Sequence, residues 1–227
     1  MIDVLRTEEE QITAIKGWFR QYGLWLILAI VLSLVLFFAY HQYKEYKIQQ
    51  KAAVAEQYFS VLEDYNQLQN NTDDALYLQR FVEKVQTLKT ANPESLYAQY
   101  AALFLAKFSI SKENYKEAEK ELSWVLKYRG EDQIIKPIVI LRLTDLFITT
   151  KQYDKAIALL EKENSAALAH IFYEKKGDIL QLKKSYKEAL TAYNVAKGTD
   201  EKGSFLLEAK IKQVTQIIDN IQKSPKD

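Results

Sequence analysis

The stretch Tyr186-Lys-Glu-Ala189 has two earlier counterparts in this chain, Tyr115-Lys-Glu-Ala118 and Tyr153-Asp-Lys-Ala156. Successive copies lie 38 and 33 residues apart. In the surrounding sequence, apolar residues recur three and four positions apart, which is the period of an amphipathic helix. Each stretch is therefore predicted to open the second helix of a helical pair.

These spacings bracket the 34-residue period of tetratricopeptide repeats, in which small residues let paired helices approach and a ring fills the turn between them. The third unit fits this pattern best. Gly177 lies twelve residues before Ala189, where a small residue is expected, and Tyr193 and Ala196 follow as expected. The chain resembles the tetratricopeptide family over about residues 94–197.

The other two units differ at the positions that hold small residues in this family. The first unit has Ala106 at the position equivalent to Gly177. The second has Thr144 there, and Glu163 where another small residue is expected. We therefore expect the second pair to pack more loosely or in a shifted arrangement.

The remaining soluble sequence is also predicted to be helical, because glycine and proline are scarce, at six and three of 227 residues. Residues 43–68 and 75–88 suggest a divergent first pair. Residues 204–221 carry apolar side chains at helical spacing and fit a terminal helix that covers the last repeat. Asn92 followed by Pro93 predicts a helix start.

An apolar run precedes this domain, and residues 24–40 contain a single polar residue, Ser33. As a helix, the nineteen residues 22–40 would reach roughly 28 Å, close to the ~30 Å hydrocarbon core of a bilayer. Aromatic residues, which prefer membrane interfaces, crowd both ends. The predicted parts are a tail at 1–21, a transmembrane helix at 22–43 and a tetratricopeptide-like domain at 44–227.

A cleaved signal peptide is the alternative for this run, but the apolar region of a signal peptide is usually shorter. Phe38-Ala39-Tyr40-His41 also offers no small-residue cleavage site. The predicted fold class is therefore all-α, with a single N-terminal transmembrane helix followed by a tetratricopeptide-like solenoid of helical pairs.

Charge does not decide the orientation of the span, because basic residues flank it almost equally. The flanking residues are Arg6, Lys16 and Arg20 before it and Lys44, Lys47 and Lys51 after it. The tail adds a capping-box pattern, Thr7-Glu-Glu-Glu10. Ile12, Ile15, Trp18 and Phe19 then form one apolar face, which predicts a short amphipathic helix leading into the membrane.

The composition argues against enzymatic and nucleic-acid-binding functions. The chain has no cysteine, and its two histidines, His41 and His170, fit no metal or triad pattern. It contains no Gly-rich phosphate loop. The 31 basic and 30 acidic residues are interspersed, so they predict the solvated faces of helices rather than a nucleic-acid patch. No catalytic residue, cofactor or metal is expected.

Stacked helical pairs form an extended concave surface, which favours protein binding. Alignment of the units predicts that nine residues of the first helices line this groove: Tyr100, Leu103, Lys107, Ile138, Leu141, Asp145, Ile171, Glu174 and Asp178. The groove would accept a partner helix or an extended chain. The alternative is that Leu103, Ile138 and Leu141 are ordinary repeat core, since periodic apolar positions usually mean packing.

The order of parts resembles one known family. Glu8-Glu-Glu-Gln11, Ile15-Lys-Gly-Trp-Phe19 and Gly23 precede one span and a repeat domain, as in the ancillary SecYEG translocon subunit family (YfgM). The resemblance implies a bacterial inner-membrane protein with a cytoplasmic N-terminus and a periplasmic domain. It also implies association with the SecYEG translocon and the periplasmic chaperone PpiD, contact with emerging secretory chains, and no cofactor.

In that role the protein would help pass emerging proteins to periplasmic chaperones. The span lacks the small-xxx-small pattern of tight helix pairing, so partner binding is expected to depend mostly on the repeats. The alternative function is a membrane-anchored tetratricopeptide scaffold for an envelope or division complex, which the sequence does not exclude.

Overall fold

The computed structural model describes residues 8–70, 75–127, 135–162, 168–199 and 204–223. Throughout these ranges the regular secondary structure is helical. The chain divides into two compact units, of which the first ends at Ala55 and the second begins at Glu56.

The first unit consists of the N-terminal part of helix α1 (Glu8–Asn70). Its apolar side chains are exposed to an unusual degree, with Trp25 at 70%. Of the described helices, α1 alone is long and apolar enough to cross a membrane. The predicted tail helix is not separate, because residues 8–21 belong to α1 and no proline interrupts them. Thr7, of the predicted capping box, lies outside the described residues.

The second unit contains the end of α1 and eight further helices within the described ranges. Their bounds are α2 (Ala75–Ala91), α3 (Leu96–Ser111), α4 (Tyr115–Lys127), α5 (Ile135–Thr149), α6 (Tyr153–Glu161), α7 (Ala169–Leu182), α8 (Tyr186–Thr199) and α9 (Phe205–Lys223). The three tyrosine stretches begin α4, α6 and α8. The prediction of helical pairs, here α3/α4, α5/α6 and α7/α8, is therefore confirmed.

The three turns within these pairs share one geometry. Each contains a non-glycine residue in the left-handed region: Glu113, Lys151 and Lys184, with φ of 57°, 58° and 62°. A backbone bond across each turn satisfies a carbonyl at the end of the first helix, as when the Asn114 N–H donates to the Ser109 oxygen at 2.8 Å. These turns therefore form without the glycine that such positions usually favour.

Small residues lie where the first helix of a pair meets the second. Ala106 and Ala118 are buried between α3 and α4, and Gly177 is buried in α7. In the second pair Thr144 is fully buried, and its hydroxyl has no hydrogen-bond partner among the described residues. Helix α6 also has nine residues where α8 has 14. Glu163 lies outside the described residues.

The predicted divergent first pair and terminal helix are both present. Tyr65 of α1 and Phe81 of α2 pack with ring centroids 5.7 Å apart, and Lys84 Nζ lies 2.6 Å from an Asp64 oxygen. At the other end, Leu207 and Val214 of α9 are buried against α8. Helix α9 thus covers the apolar side of the last repeat.

The predicted start of α3 at Asn92-Pro93 is three residues too early. Pro93 instead lies in a turn closed by a 3.0 Å bond from the Ser95 N–H to the Asn92 oxygen, a position that suits its fixed φ. The helix begins at Leu96, and the Ser95 hydroxyl accepts a bond from the Tyr97 N–H at 3.2 Å. Ser95 is therefore the N-cap.

Replacing Ser95 with alanine is expected to lower the free energy of unfolding by about 1 kcal/mol, because the first turn of α3 loses a capping acceptor. Urea unfolding of the full chain in a mild detergent, followed by far-UV circular dichroism, measures this change. Ser95→Asp is the control, since aspartate caps about equally well. Equal stability of the alanine variant and the unsubstituted protein would contradict the capping role.

Candidate functional site

The first helices of the pairs form one row within the second unit. Tyr58 of α1 contacts Tyr97 of α3 with ring centroids 5.2 Å apart, and Lys210 of α9 bonds Glu174 of α7 at 2.7 Å. One hydrophobic cluster joins buried residues of α3, α5 and α7. We call residues 56–70 of α1 together with α3, α5, α7 and α9 the first-helix row.

The nine predicted groove residues all lie on this row, but their burial differs. Tyr100 and Ile138 are 40% and 44% exposed, and Lys107 and Asp145 are also exposed. Leu103, by contrast, is only 9% exposed. The partly buried members of the set are Leu141, Ile171, Glu174 and Asp178.

Leu103 lies in the main hydrophobic cluster, and Leu141 packs against that cluster. Both leucines therefore have a packing role, as the core alternative predicts. Tyr100 and Ile138 present a large part of their side chains to solvent. Whether any of the nine residues binds a partner stays a prediction.

An aromatic cluster adjoins Tyr100 and was not predicted from the sequence. Tyr58 lies 6.4 Å from Tyr100 and 6.5 Å from Phe104, between ring centroids, and Phe104 also packs on Tyr65 at 4.9 Å. The pKa of Tyr58 is raised, mainly by burial and to a smaller extent by the nearby hydroxyls of Tyr100 and Tyr97. The seven-residue spacing of Tyr58 and Tyr65 on one helical face was the available signal. The cluster extends the apolar surface beside Tyr100.

The acidic residues near the C-terminal end of the row are engaged within the protein. Lys210 Nζ lies 2.7 Å from a Glu174 oxygen and 2.8 Å from an Asp178 oxygen. Burial works against the charged form of Lys210, but its bonds to Asp178 and Glu174 outweigh that effect and raise its pKa. Glu174 and Asp178 therefore hold α7 and α9 together.

Tyr193 of α8 completes this network from the second helix of the pair. Its hydroxyl donates to Asp178 at 2.8 Å, and the same hydroxyl lies 3.0 Å from the Gln181 side-chain oxygen. Burial, together with the bond to Asp178, strongly raises the pKa of Tyr193, so the hydroxyl keeps its proton at physiological pH. Asp178 is thereby fixed between two helices.

In the middle of the row, Asp145 forms an ion pair with Lys175 of the next first helix at 2.8 Å. Lys107 has a different environment, because its Nζ lies 5.8 Å from the centroid of the Tyr65 ring. In the described part of the chain, Lys107 has no ion pair with a carboxylate. The charged groove residues thus include one cation, Lys107, that has no acidic partner within the ranges described by the structure.

The two histidines lie on different helices, α1 and α7. His41 stacks on Phe37 of α1 at 6.4 Å between ring centroids, and His170 is partly buried in α7. Among the described residues, no group of three or more His, Cys, Asp or Glu side chains is arranged to hold a metal ion.

Comparison with known proteins agrees with this architecture. The model of a family described as a tetratricopeptide repeat-like domain matches residues 16–216. The ancillary SecYEG translocon subunit of Neisseria gonorrhoeae is 26% identical over 90% of this chain and 95% of that protein. The proteins of the same name from Haemophilus influenzae and Aggregatibacter actinomycetemcomitans are 25% and 27% identical, each over 80% of this chain and 88% of the relative.

These matches confirm the resemblance that was read from the tail, the span and the repeats. The family match begins within the first unit and continues into α9. It therefore includes both the apolar helix and the first-helix row. The chain belongs to the tetratricopeptide repeat-like family, with ancillary SecYEG translocon subunits among its relatives.

Proposed function

We propose that this protein is a membrane-anchored accessory subunit of the SecYEG translocon. The names of its relatives and the one candidate membrane helix found among the described residues support this proposal. Residues 22–43 span the bacterial inner membrane, residues 1–21 lie in the cytoplasm, and the domain at 44–227 lies in the periplasm. A large C-terminal domain can cross a membrane whatever its charge, so the balanced flanks are compatible with this orientation.

The protein acts without catalysis, through contacts of its repeat domain with other polypeptides. The observation that carries this proposal is the exposure of Tyr100 and Ile138 on the first-helix row. Large apolar side chains grouped on the surface of a repeat domain favour the binding of a partner. The aromatic cluster around Tyr58 adds to this surface.

The proposed partners are the SecYEG translocon, the chaperone PpiD and emerging secretory chains. The protein helps to pass these chains to periplasmic chaperones by holding one partner near another. The translocon is supported by the relatives' names, whereas PpiD and the emerging chains rest on what the family resemblance implies. The alternative is a scaffold that binds only folded proteins of an envelope or division complex.

Photocrosslinking in membranes tests this function. A photoreactive amino acid is placed at Tyr100, Ile138 or Trp18, and the attached proteins are identified by mass spectrometry. We expect adducts with translocon subunits, PpiD and secretory chains. Lys116 is the control position, because it is exposed on α4, a second helix outside the first-helix row.

Two outcomes would contradict the proposal. Adducts exclusively with folded envelope or division proteins would favour the scaffold. The same adducts from Lys116 as from Tyr100 would show that the first-helix row is not the binding surface.

A further inference from the structure

Ion pairs join successive first helices at equivalent places. Asp145 of α5 pairs with Lys175 of α7 at 2.8 Å, and Asp178 of α7 pairs with Lys210 of α9 at 2.8 Å. In the aligned repeats, Asp145 and Asp178 each follow the small-residue position, which is held by Thr144 and Gly177. One carboxylate and one lysine therefore meet at each of these two helix junctions.

The junction of α3 with α5 departs from this pattern. The residue that follows Ala106 is Lys107, where the later repeats have aspartate. The α5 residue equivalent to Lys175 is Arg142, which is two positions before Thr144. By the register of the other junctions, Lys107 and Arg142 occupy the two positions at which a carboxylate and a lysine meet elsewhere in the row. The Lys107 ammonium itself lies 5.8 Å from the centroid of the Tyr65 ring of α1.

Both side chains are exposed, and within the described ranges neither forms an ion pair with a carboxylate. Two neighbouring cations repel each other, whereas a carboxylate placed between them would be attracted by both. Arginine and lysine also form charge-assisted hydrogen bonds with a carboxylate. This junction is thus complementary to one negative charge supplied from outside the described chain.

Apolar side chains lie on both sides of this cationic pair along the helix direction. Tyr100 comes about two turns before Lys107, Ile138 comes about one turn before Arg142, and both are exposed. Ile110 comes one turn after Lys107 and is 40% exposed. A polypeptide that covers this surface would therefore have apolar residues before and after its acidic residue. This arrangement favours an internal Asp or Glu side chain over a terminal carboxylate.

We propose that Lys107 and Arg142 bind the side chain of an acidic residue within an otherwise apolar segment of a partner polypeptide. Tyr100, Ile138 and Ile110 contact the apolar residues that flank it. This inference deepens the proposed function and rests on it for the origin of the partner. The binding chemistry itself is tested without any translocon component.

The probe is a synthetic peptide, acetyl-Ser-Leu-Phe-Glu-Leu-Ile-Ser-amide carrying a fluorophore, titrated with the full-length protein in a mild detergent and followed by fluorescence anisotropy. A second peptide has Gln in place of Glu. We expect the Glu peptide to bind about tenfold more tightly, which is the size of a hydrogen-bonded charge contact. In the Lys107→Gln/Arg142→Gln variant the two peptides should bind equally.

A variant with reversed charges distinguishes loss of the charge contact from loss of folding. In the Lys107→Glu/Arg142→Glu variant, a peptide with Lys at the central position should bind more tightly than the Glu peptide. Lys116→Glu, on α4, is the matched control and should keep the original preference. Equal binding of the Glu and Gln peptides by the unsubstituted protein would overturn the proposal, as would a preference that survives in the double Gln variant.

A third peptide, acetyl-Ser-Leu-Phe with a free C-terminal carboxylate and the same fluorophore, tests a terminal carboxylate against the internal Glu side chain. Tighter binding of this peptide than of the Glu peptide would overturn the assignment to an internal acidic residue. Because this assay contains no channel, a negative result here leaves the crosslinking test of translocon association unaffected, and the two proposals can fail separately.

Discussion

Replacing Gly177 with alanine is expected to destabilise the repeat domain by about 3 kcal/mol, at the upper end of the usual cost of overpacking. A Cβ atom at this position would lie 2.4 Å from Cε1 and 2.5 Å from Cδ1 of the Tyr193 ring. Real Cβ atoms do not approach other atoms so closely. Either α7 and α8 must separate or the ring must move.

The Tyr193 ring cannot move at low cost. Its side chain is fully buried, and its hydroxyl donates to Asp178 and lies within hydrogen-bonding distance of Gln181. A rotated ring would lose its buried position and leave the hydroxyl without a partner, which carries a desolvation penalty. The same rotation would release Asp178 from one of its two contacts. The strain at Gly177 would therefore spread to the junction of α7 with α9.

Gly198→Ala is the matched control, because a Cβ atom at Gly198 would meet nothing within 4 Å. In helix α8 this change should stabilise the protein by about 0.5 kcal/mol, through the higher helix propensity of alanine. Urea unfolding of both variants, followed by far-UV circular dichroism, compares them directly. Equal midpoints for the two variants would show that the close packing of Gly177 on Tyr193 is not needed.

Removal of the charge of Lys89 is expected to cost about 3–5 kcal/mol, the usual cost of breaking a buried ion pair from one side. Lys89 of α2 and Glu121 of α4 are 5% and 0% exposed, and Lys89 Nζ lies 2.6 and 2.7 Å from the two carboxylate oxygens. Gln86 adds a bond of 3.2 Å to Glu121. In Lys89→Met, the Glu121 carboxyl group would stay buried without its cationic partner and would keep this amide contact.

The double variant Lys89→Met/Glu121→Leu separates the cost of an unpaired charge from the cost of lost packing. A buried pair can often be replaced by apolar residues of similar volume without loss of stability, so the double variant should be much more stable than Lys89→Met. The exposed pair Lys197 and Glu208 provides the control, and Lys197→Met should cost less than about 1 kcal/mol. A Lys89→Met variant as stable as Lys197→Met would refute the role of the buried pair.

Much of the fold could be predicted from the sequence, because its main signals lie within single helices. The stretches that begin at Tyr115, Tyr153 and Tyr186 each mark the start of a second helix, and the repeat position of Gly177 identifies a close contact between α7 and α8. The apolar run at 24–40 predicts the membrane helix by length and composition. The start of α3 was misplaced because Pro93 also suits a turn, and only the Ser95 cap distinguishes the two.

The candidate site was predicted only in part. The register of the repeats places all nine groove residues on the first-helix row, but it does not distinguish the buried Leu103 from the exposed Tyr100. That difference depends on how closely neighbouring helices approach. The aromatic cluster of Tyr58 and Tyr97 forms between residues 39 positions apart and needs the stacking of α1 on α3.

By itself, the sequence determined the helices, their pairing and the membrane span, since each depends on residue spacing within a short segment. Only the tertiary structure decided which charged side chains are buried and which of them form ion pairs. The interspersed Lys and Glu residues suggested solvated helix faces, yet Lys89 and Glu121 are buried together, and Lys210 holds Glu174 and Asp178. The physical reason is that the partner of each of these charges lies on another helix. Helix stacking therefore sets both the distance between the two charged groups and their exposure to water.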